Sequence, residues 1–214
     1  MAEAAVSSNG GMTRREFLYY IWGASMALFT AEMTGLILWF AIPRFREGEF
    51  GGTFTIPGDT LPSKNAEPVD FPEGRFWLVN LDTTIDEGTE RMYQAGDEEE
   101  PIVGAAAIYK VCTHLGCIYD WNVANQRFEC PCHGSKYRLD GRRVESPAPR
   151  SLDRFQLAAL SADNEVLAVS EPDPNGTYAA LPLPEGTAAI QVDTGARLEG
   201  PSLTLICDLR NNCP

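Results

Sequence analysis

The chain is 214 residues long, 44% hydrophobic and 22% charged, with 17 Lys and Arg against 30 Asp and Glu and a formal net charge of −13. Such an acidic chain has no sequence-wide affinity for nucleic acid or for an anionic membrane surface, and its stock of aromatic and aliphatic residues excludes disorder as the main state. The length allows one ordinary domain plus smaller segments, and 19 glycines with 15 prolines favour a loop-rich β protein over a helix bundle.

In chain order, residues 1–16 read as an N-terminal cytoplasmic segment, and Thr13-Arg14-Arg15-Glu16-Phe17-Leu18 runs from it into the apolar stretch. This string is similar to the twin-arginine export signal, an address used for proteins exported already folded. From Phe17 to Ile42 the chain is apolar with a single charge, Glu32, before Pro43 and Arg44 end the run. As a helix those residues would span roughly 39 Å, more than a ~30 Å hydrocarbon core requires, so 17–42 is predicted to be a retained transmembrane helix rather than a cleaved signal. Aromatic residues crowd both its ends, as interfacial belts do. Gly23, Ala27, Ala31 and Gly35 recur every fourth residue and allow another helix to approach closely. A carboxylate at mid-bilayer costs roughly 2.5–3.5 kcal/mol, so Glu32 is expected to be protonated or turned into a protein interface. Residues 43–56, with Gly48, Gly51 and Gly52, read as a flexible tether. Apolar β-rich runs then recur at 75–79, 102–111, 155–160 and 165–169 between turn signals, with a solvated acidic loop at 97–101. A Pro-rich stretch from Glu171 marks the start of a C-terminal extension, 171–214.

The chemistry is concentrated in one short stretch. Both histidines and four of the six cysteines lie between Cys112 and His133, in the boxes Cys112-Thr113-His114-Leu115-Gly116-Cys117 and Cys130-Pro131-Cys132-His133-Gly134-Ser135-Lys136-Tyr137. That concentration predicts a metal centre. Two Cys with two His would suit structural zinc, but such a site leaves two thiols without a role, and the first box is Cys-x-His rather than a Cys-x₂-Cys knuckle. The neighbouring Lys136, Arg138, Arg142 and Arg143 form a basic cluster that reads as a solvated strand face, with an acidic partner surface as the alternative it would suit.

The two boxes resemble those of the Rieske iron–sulfur proteins, in the disulfide-containing branch found in cytochrome bc complexes, and the organisation of residues 13–170 is similar more loosely. The resemblance implies an all-β Rieske domain over 57–170, with a base of antiparallel sheets and a smaller cluster-binding subdomain at about 108–150. It implies one [2Fe–2S] cluster per chain, one iron held by Cys112 and Cys130 and the other by His114 and His133. Neutral imidazoles in place of two thiolates make the cluster easier to reduce. Cys117 and Cys132 are then expected to pair, tying the ligand loops together. Ser135 and Tyr137 are expected to donate hydrogen bonds to sulfur and raise the potential further. Leu115 and Gly116 would form the apolar surface facing the quinol pocket, and Ser146-Pro147-Ala148-Pro149 the loop that covers the cluster, with Ser where the family usually has Gly. A disulfide needs an oxidising compartment; in that compartment Cys207 and Cys213 are expected to form a second one.

The function implied is that of the Rieske subunit of a membrane quinol–cytochrome c oxidoreductase. It would take one electron from quinol, with a proton passing to His114 or His133, and hand the electron to a c-type cytochrome or equivalent acceptor. The implied partners are a cytochrome b subunit and a c-type cytochrome within a dimeric complex. The implied setting is a bacterial cell membrane, single-pass, with the N-terminus cytoplasmic and the head on the periplasmic side. An electron-transfer subunit of another exported enzyme, similar to arsenite oxidase, and a Rieske ferredoxin are the alternatives.

Overall fold

The computed structural model describes residues 11–42, 51–85 and 101–203. Residues 43–50 of the expected tether, most of the acidic loop, and Cys207 and Cys213 lie outside the described residues. The chain divides into two compact units near residue 44.

The first unit is one helix, α1 (Arg14–Ala41). Thr13 caps it: its hydroxyl accepts from the Glu16 amide at 3.3 Å while the Thr13 amide donates to the Glu16 carboxylate at 2.9 Å, a reciprocal capping box. The cap draws Arg14 and Arg15 into the first turn, three residues earlier than the apolar run alone predicts. With 28 residues and no side chain buried within the chain, α1 is long and apolar enough to cross a membrane.

The second unit is the all-β head. Its strands are β1 (Thr53–Pro57), β2 (Val69–Phe71), β3 (Phe76–Asp82), β4 (Val103–Tyr109), β5 (Asp120–Asn122), β6 (Arg127–Glu129), β7 (Lys136–Tyr137), β8 (Arg143–Glu145), β9 (Arg154–Leu160), β10 (Val166–Val169) and β11 (Ala189–Leu198). Among the described residues they form two antiparallel sheets. The base sheet runs β1-β11-β9-β4-β3-β2, with β10 added on β9, and the smaller sheet runs β5-β6-β7-β8. The small sheet is inserted between β4 and β9, which are themselves neighbours through Ala107–Phe155 and Ile108–Arg154. Both ends of the insertion are therefore fixed by the base.

Side chains alternate across a strand, and β3 is buried on both faces. Phe76 and Leu78 join Ile56, Ala105, Phe155, Leu157 and Ile190 in one core. Trp77, Val79 and Leu81 join Ile108, Tyr119, Phe128, Tyr137 and Leu139 in the other, which cements the base to the inserted sheet.

Three expectations differ from what is observed. Residues 53–56, expected within the tether, form β1, because Thr53–Pro57 pairs with Ala189–Asp193 of β11. The segment from 171 onward is not an appendage: β11 lies between β1 and β9 in the base sheet. The basic cluster is not a solvated face. Arg138 is 1% and Arg142 5% exposed, and Arg138 forms a two-pronged ion pair with buried Asp140 at 2.7 and 2.8 Å.

Candidate metal centre

Three loops of the inserted sheet meet at the site: 112–117 between β4 and β5, 130–135 between β6 and β7, and 146–150 between β8 and β9. The first two fold alike. In each, the Cys amide donates to the carbonyl five residues on (Cys112 to Cys117, 2.8 Å; Cys130 to Ser135, 2.9 Å), and the amide four residues on donates back to the Cys carbonyl (Gly116 to Cys112 and Gly134 to Cys130, both 3.0 Å). Closing that turn requires a left-handed residue at the fourth step, and Gly116 and Gly134 both have φ of +80°. The histidine follows the first Cys by two residues in one loop and by three in the other.

Cys112 and Cys130 are buried thiols outside any disulfide, while Cys117 and Cys132 are joined to each other and so link the two loops. The Cys130 sulfur lies within 4.8 Å of both bridged sulfurs, which are spent as ligands by their bond to each other. The rings of His114 and His133 stand edge to face, 4.7 Å between centroids. His133 is exposed, whereas Nδ1 of His114 is buried with no hydrogen-bond partner among the described residues. An orphaned buried nitrogen is costly unless something binds it. Two buried thiols, two adjacent imidazoles and that orphaned lone pair make a donor set that fits the mixed Cys₂His₂ ligation of a Rieske [2Fe–2S] cluster.

The surroundings treat the two free sulfurs differently. Burial pushes the Cys112 thiol up, but hydrogen bonds from Tyr137, the His114 amide, Cys130 and Ser135 outweigh it and bring it below the usual range. Burial dominates at Cys130 and raises it, although the amides of Cys132 and His133 point at its sulfur. Tyr137 Oη lies 3.1 Å from Cys112 Sγ and 3.2 Å from Thr113 Oγ1. Its ring is fully buried beside Tyr119, whose centroid is 5.8 Å away. Ser135 is wholly buried, and its Oγ accepts the Ala148 amide at 3.2 Å. Leu115 is 70% exposed beside the histidines.

From the sequence, Thr113 has no role and Arg143 reads as part of a solvated face. Thr113 Oγ1 donates to the Arg150 carbonyl at 2.7 Å, and Arg143 holds the carbonyls of Ala148 and Pro149 at 2.9 and 2.7 Å. A threonine inside a ligand box and an arginine in a basic run carry no sequence signal for contacts with a loop further along the chain.

Known proteins share sequence with this chain. The sequence profile of the Rieske [2Fe-2S] domain matches residues 79–156, which contain all three loops. The cytochrome b6-f complex iron-sulfur subunit of Prochlorococcus marinus (strain MIT 9303) is 31% identical over 180 residues, covering 80% of this chain and 92% of that one. The cytochrome b6-f complex iron-sulfur subunit 3 of Nostoc sp. (strain PCC 7120) is 32% identical over 161 residues, covering 73% and 84%. A crystal structure of the cyanobacterial plasma membrane Rieske protein PetC3 from Synechocystis PCC 6803 aligns at 26% identity with a TM-score of 0.28, over 49% of this chain and 84% of that one. With identity at this level carried across nearly the whole length of a relative, and the matched domain enclosing both boxes, the chain belongs to the Rieske iron–sulfur proteins, whose domain binds a [2Fe–2S] cluster.

Proposed function

We propose that this chain is the iron–sulfur subunit of a membrane quinol-oxidising complex of the cytochrome bc or b6f type, accepting an electron and a proton from quinol and passing the electron to a c-type cytochrome or equivalent acceptor. The observation that carries this reading is the pair of imidazoles, 4.7 Å apart, beside the exposed Leu115. In this reading Cys112 and Cys130 hold one iron and His114 and His133 the other. When bound, the cluster supplies a one-electron acceptor whose potential is raised by its neutral nitrogen ligands.

The chain's own residues do the rest. His133, which is exposed, and His114 each present one ring nitrogen to iron and keep the other for the quinol hydroxyl, so the proton leaves onto imidazole nitrogen. Leu115 and the half-exposed Ile118 offer apolar area to the ring of the quinol and to the rim of its pocket. Tyr137 and Ser135 hold their hydroxyl protons toward sulfur, which favours the reduced, more negative centre. The Cys117–Cys132 bridge keeps both histidine loops in one geometry.

The names of the relatives support assembly with cytochrome partners, which in this reading are a cytochrome b subunit and a c-type cytochrome in a dimeric complex. Helix α1 is the single-pass anchor in a bacterial membrane. The N-terminus stays in the cytoplasm and the head lies in the oxidising compartment where a disulfide persists, reached through the twin-arginine-like string. The test is to solubilise membranes carrying the tagged full chain, purify it, and record haem spectra and quinol-dependent reduction of cytochrome c. Co-purified b-type haem with quinol oxidation lost on deletion of the chain is expected. A chain isolated without haem-bearing subunits, from membranes whose quinol oxidation survives the deletion, overturns the proposal.

A further inference from the structure

The loop of residues 146–150 touches both cysteine loops, through the Ala148 amide on Ser135 Oγ (3.2 Å) and Thr113 Oγ1 on the Arg150 carbonyl (2.7 Å). Its other side is held by Arg143. Nη1 of that residue donates to the carbonyls of Ala148 (2.9 Å) and Pro149 (2.7 Å), and Nη2 donates to the carbonyl of Leu203 at 2.6 Å. One guanidinium thus fixes three carbonyls from two distant parts of the chain, which its planar fork of donors suits it to do. The segment that supplies Leu203 has no slack. The Ser151 amide donates to the Pro201 carbonyl, and the Gly200 amide to Asp153 Oδ1, both at 3.0 Å. A Cβ placed on Gly200 would stand 2.3 Å from the carbonyl oxygens of both Ser151 and Leu152.

Ala148 is the pivot of this arrangement. Its carbonyl is gripped by Arg143, and its amide is given to Ser135, whose hydroxyl accepts that N–H and has its own proton left for sulfur. An N–H given to a hydroxyl polarises it and strengthens the bond its proton makes. We infer that Arg143 and the segment 199–203 form a clasp that positions Ala148, and through Ser135 sets the reduction potential of the centre. Arg143 is a positioning residue here; it does not touch the cluster ligands. The inference rests on the assignment of the cluster to Cys112, His114, Cys130 and His133, and it gives the part of the chain beyond β11 a task in electron transfer.

The test uses the full-length holoprotein in detergent, with redox titration followed by electron paramagnetic resonance, and thermal unfolding in parallel. Arg143→Lys keeps the charge but loses the fork; Gly200→Ala changes no charge and forces the segment away from residues 151–152. Each is made alone and on a Ser135→Ala background. Each single variant is expected to lower the reduced-to-oxidised ratio at the wild-type midpoint roughly threefold, which is about 28 mV at ~59 mV per tenfold for one electron. On the Ser135→Ala background that shift is expected to vanish, because the relay through the hydroxyl is gone. Unshifted midpoints, with or without a lower melting temperature, overturn the inference, as do shifts of equal size on both backgrounds. Should Gly200→Ala fail to fold, Arg143→Lys and Arg143→Gln decide by the same criteria. A wild-type protein without the paramagnetic [2Fe–2S] signal overturns the ligand assignment itself, whereas a normal wild-type signal with unshifted variants overturns only the clasp.

Discussion

Tyr137→Phe removes one oxygen from a ring that is otherwise held fast, so its effect on the centre can be worked out. The Tyr137 ring is fully buried and keeps its place against Tyr119, which itself packs on Phe128 at 5.3 Å. Its hydroxyl has two acceptors within reach, Cys112 Sγ at 3.1 Å and Thr113 Oγ1 at 3.2 Å. Thr113 has already given its own proton to the Arg150 carbonyl at 2.7 Å, so toward Tyr137 it can only accept. The single phenol proton is therefore divided between a sulfur and a hydroxyl. A hydrogen bond to a charged acceptor contributes ~1.5–3 kcal/mol. Only the part by which the shared bond strengthens on reduction moves the midpoint; at about 1 kcal/mol that is about 40 mV for a one-electron couple. The sign is negative, because the bond favours the reduced state and its loss lowers the midpoint. Burial, and then the Cys112 sulfur, push the phenol well above its ordinary range, so it stays a donor at any working pH. The shift should consequently be the same at pH 7 and pH 9. Redox titration of wild type and variant at both values is the assay. An unchanged midpoint, a rise, or a shift present at only one pH would show that the phenol proton does not bond the Cys112 sulfur.

Three further outcomes are expected. Replacing both Cys117 and Cys132 by Ala opens a loop with a sequence separation of 15, which by chain entropy costs about 3 kcal/mol; a denaturant midpoint equal to wild type would show that the loops hold without the bridge. Gly116→Ala and Gly134→Ala each force a side chain into left-handed backbone at ~1–2 kcal/mol and should loosen the centre, read as faster loss of visible absorbance under a chelator; wild-type loss rates would remove the role given to these turns. Burial alone would raise the Asp140 carboxyl, but Arg138 and Arg154 hold it at about 2. Its pKa is depressed on folding, so about 2 kcal/mol of stability is present above pH ~4 and lost as pH falls through 2. Unfolding free energy should drop between pH 5 and pH 2 by that much more in wild type than in Asp140→Asn, and identical acid limbs would contradict it.

Much of the head was legible in the sequence because its strands carry clear patterns. The apolar runs at 75–79, 102–111, 155–160 and 165–169 correspond to β3, β4, β9 and β10 to within a few residues. What escaped had physical reasons. β11 has a plain alternation, with Ile190, Val192 and Thr194 turned inward, but prolines 172, 174, 182 and 184 precede it and mark a boundary by composition alone. β1 follows two glycines and finds its partner some 130 residues away, a pairing that no local window contains. Arg138 and Arg142 carried charges that belong at a surface by every residue-level rule. Arg138 is buried because Asp140, two residues on, supplies the opposite charge, and the same carboxylate accepts the Arg142 amide at 3.0 Å and closes the turn. At the site, the clustering of Cys and His was visible at once. The matching turns of the two loops were not, because their ligand spacings differ by one residue while the shared features are backbone bonds and a glycine four residues after each cysteine.

Strand β3 gives alternate side chains to two different cores, and the site stands on one of them. An opening that lets water reach Trp77, Val79 or Leu81 bares one face of the strand that carries Phe76 and Leu78 on its reverse. The inserted sheet therefore draws part of its stability from the base, and the two are expected to melt together. Calorimetry of the head should show a single endotherm for both sheets, and hydrogen exchange should protect the amides of β4 and β7 to the same depth. A redox centre mounted this way is expected to be lost together with the base sheet and not ahead of it.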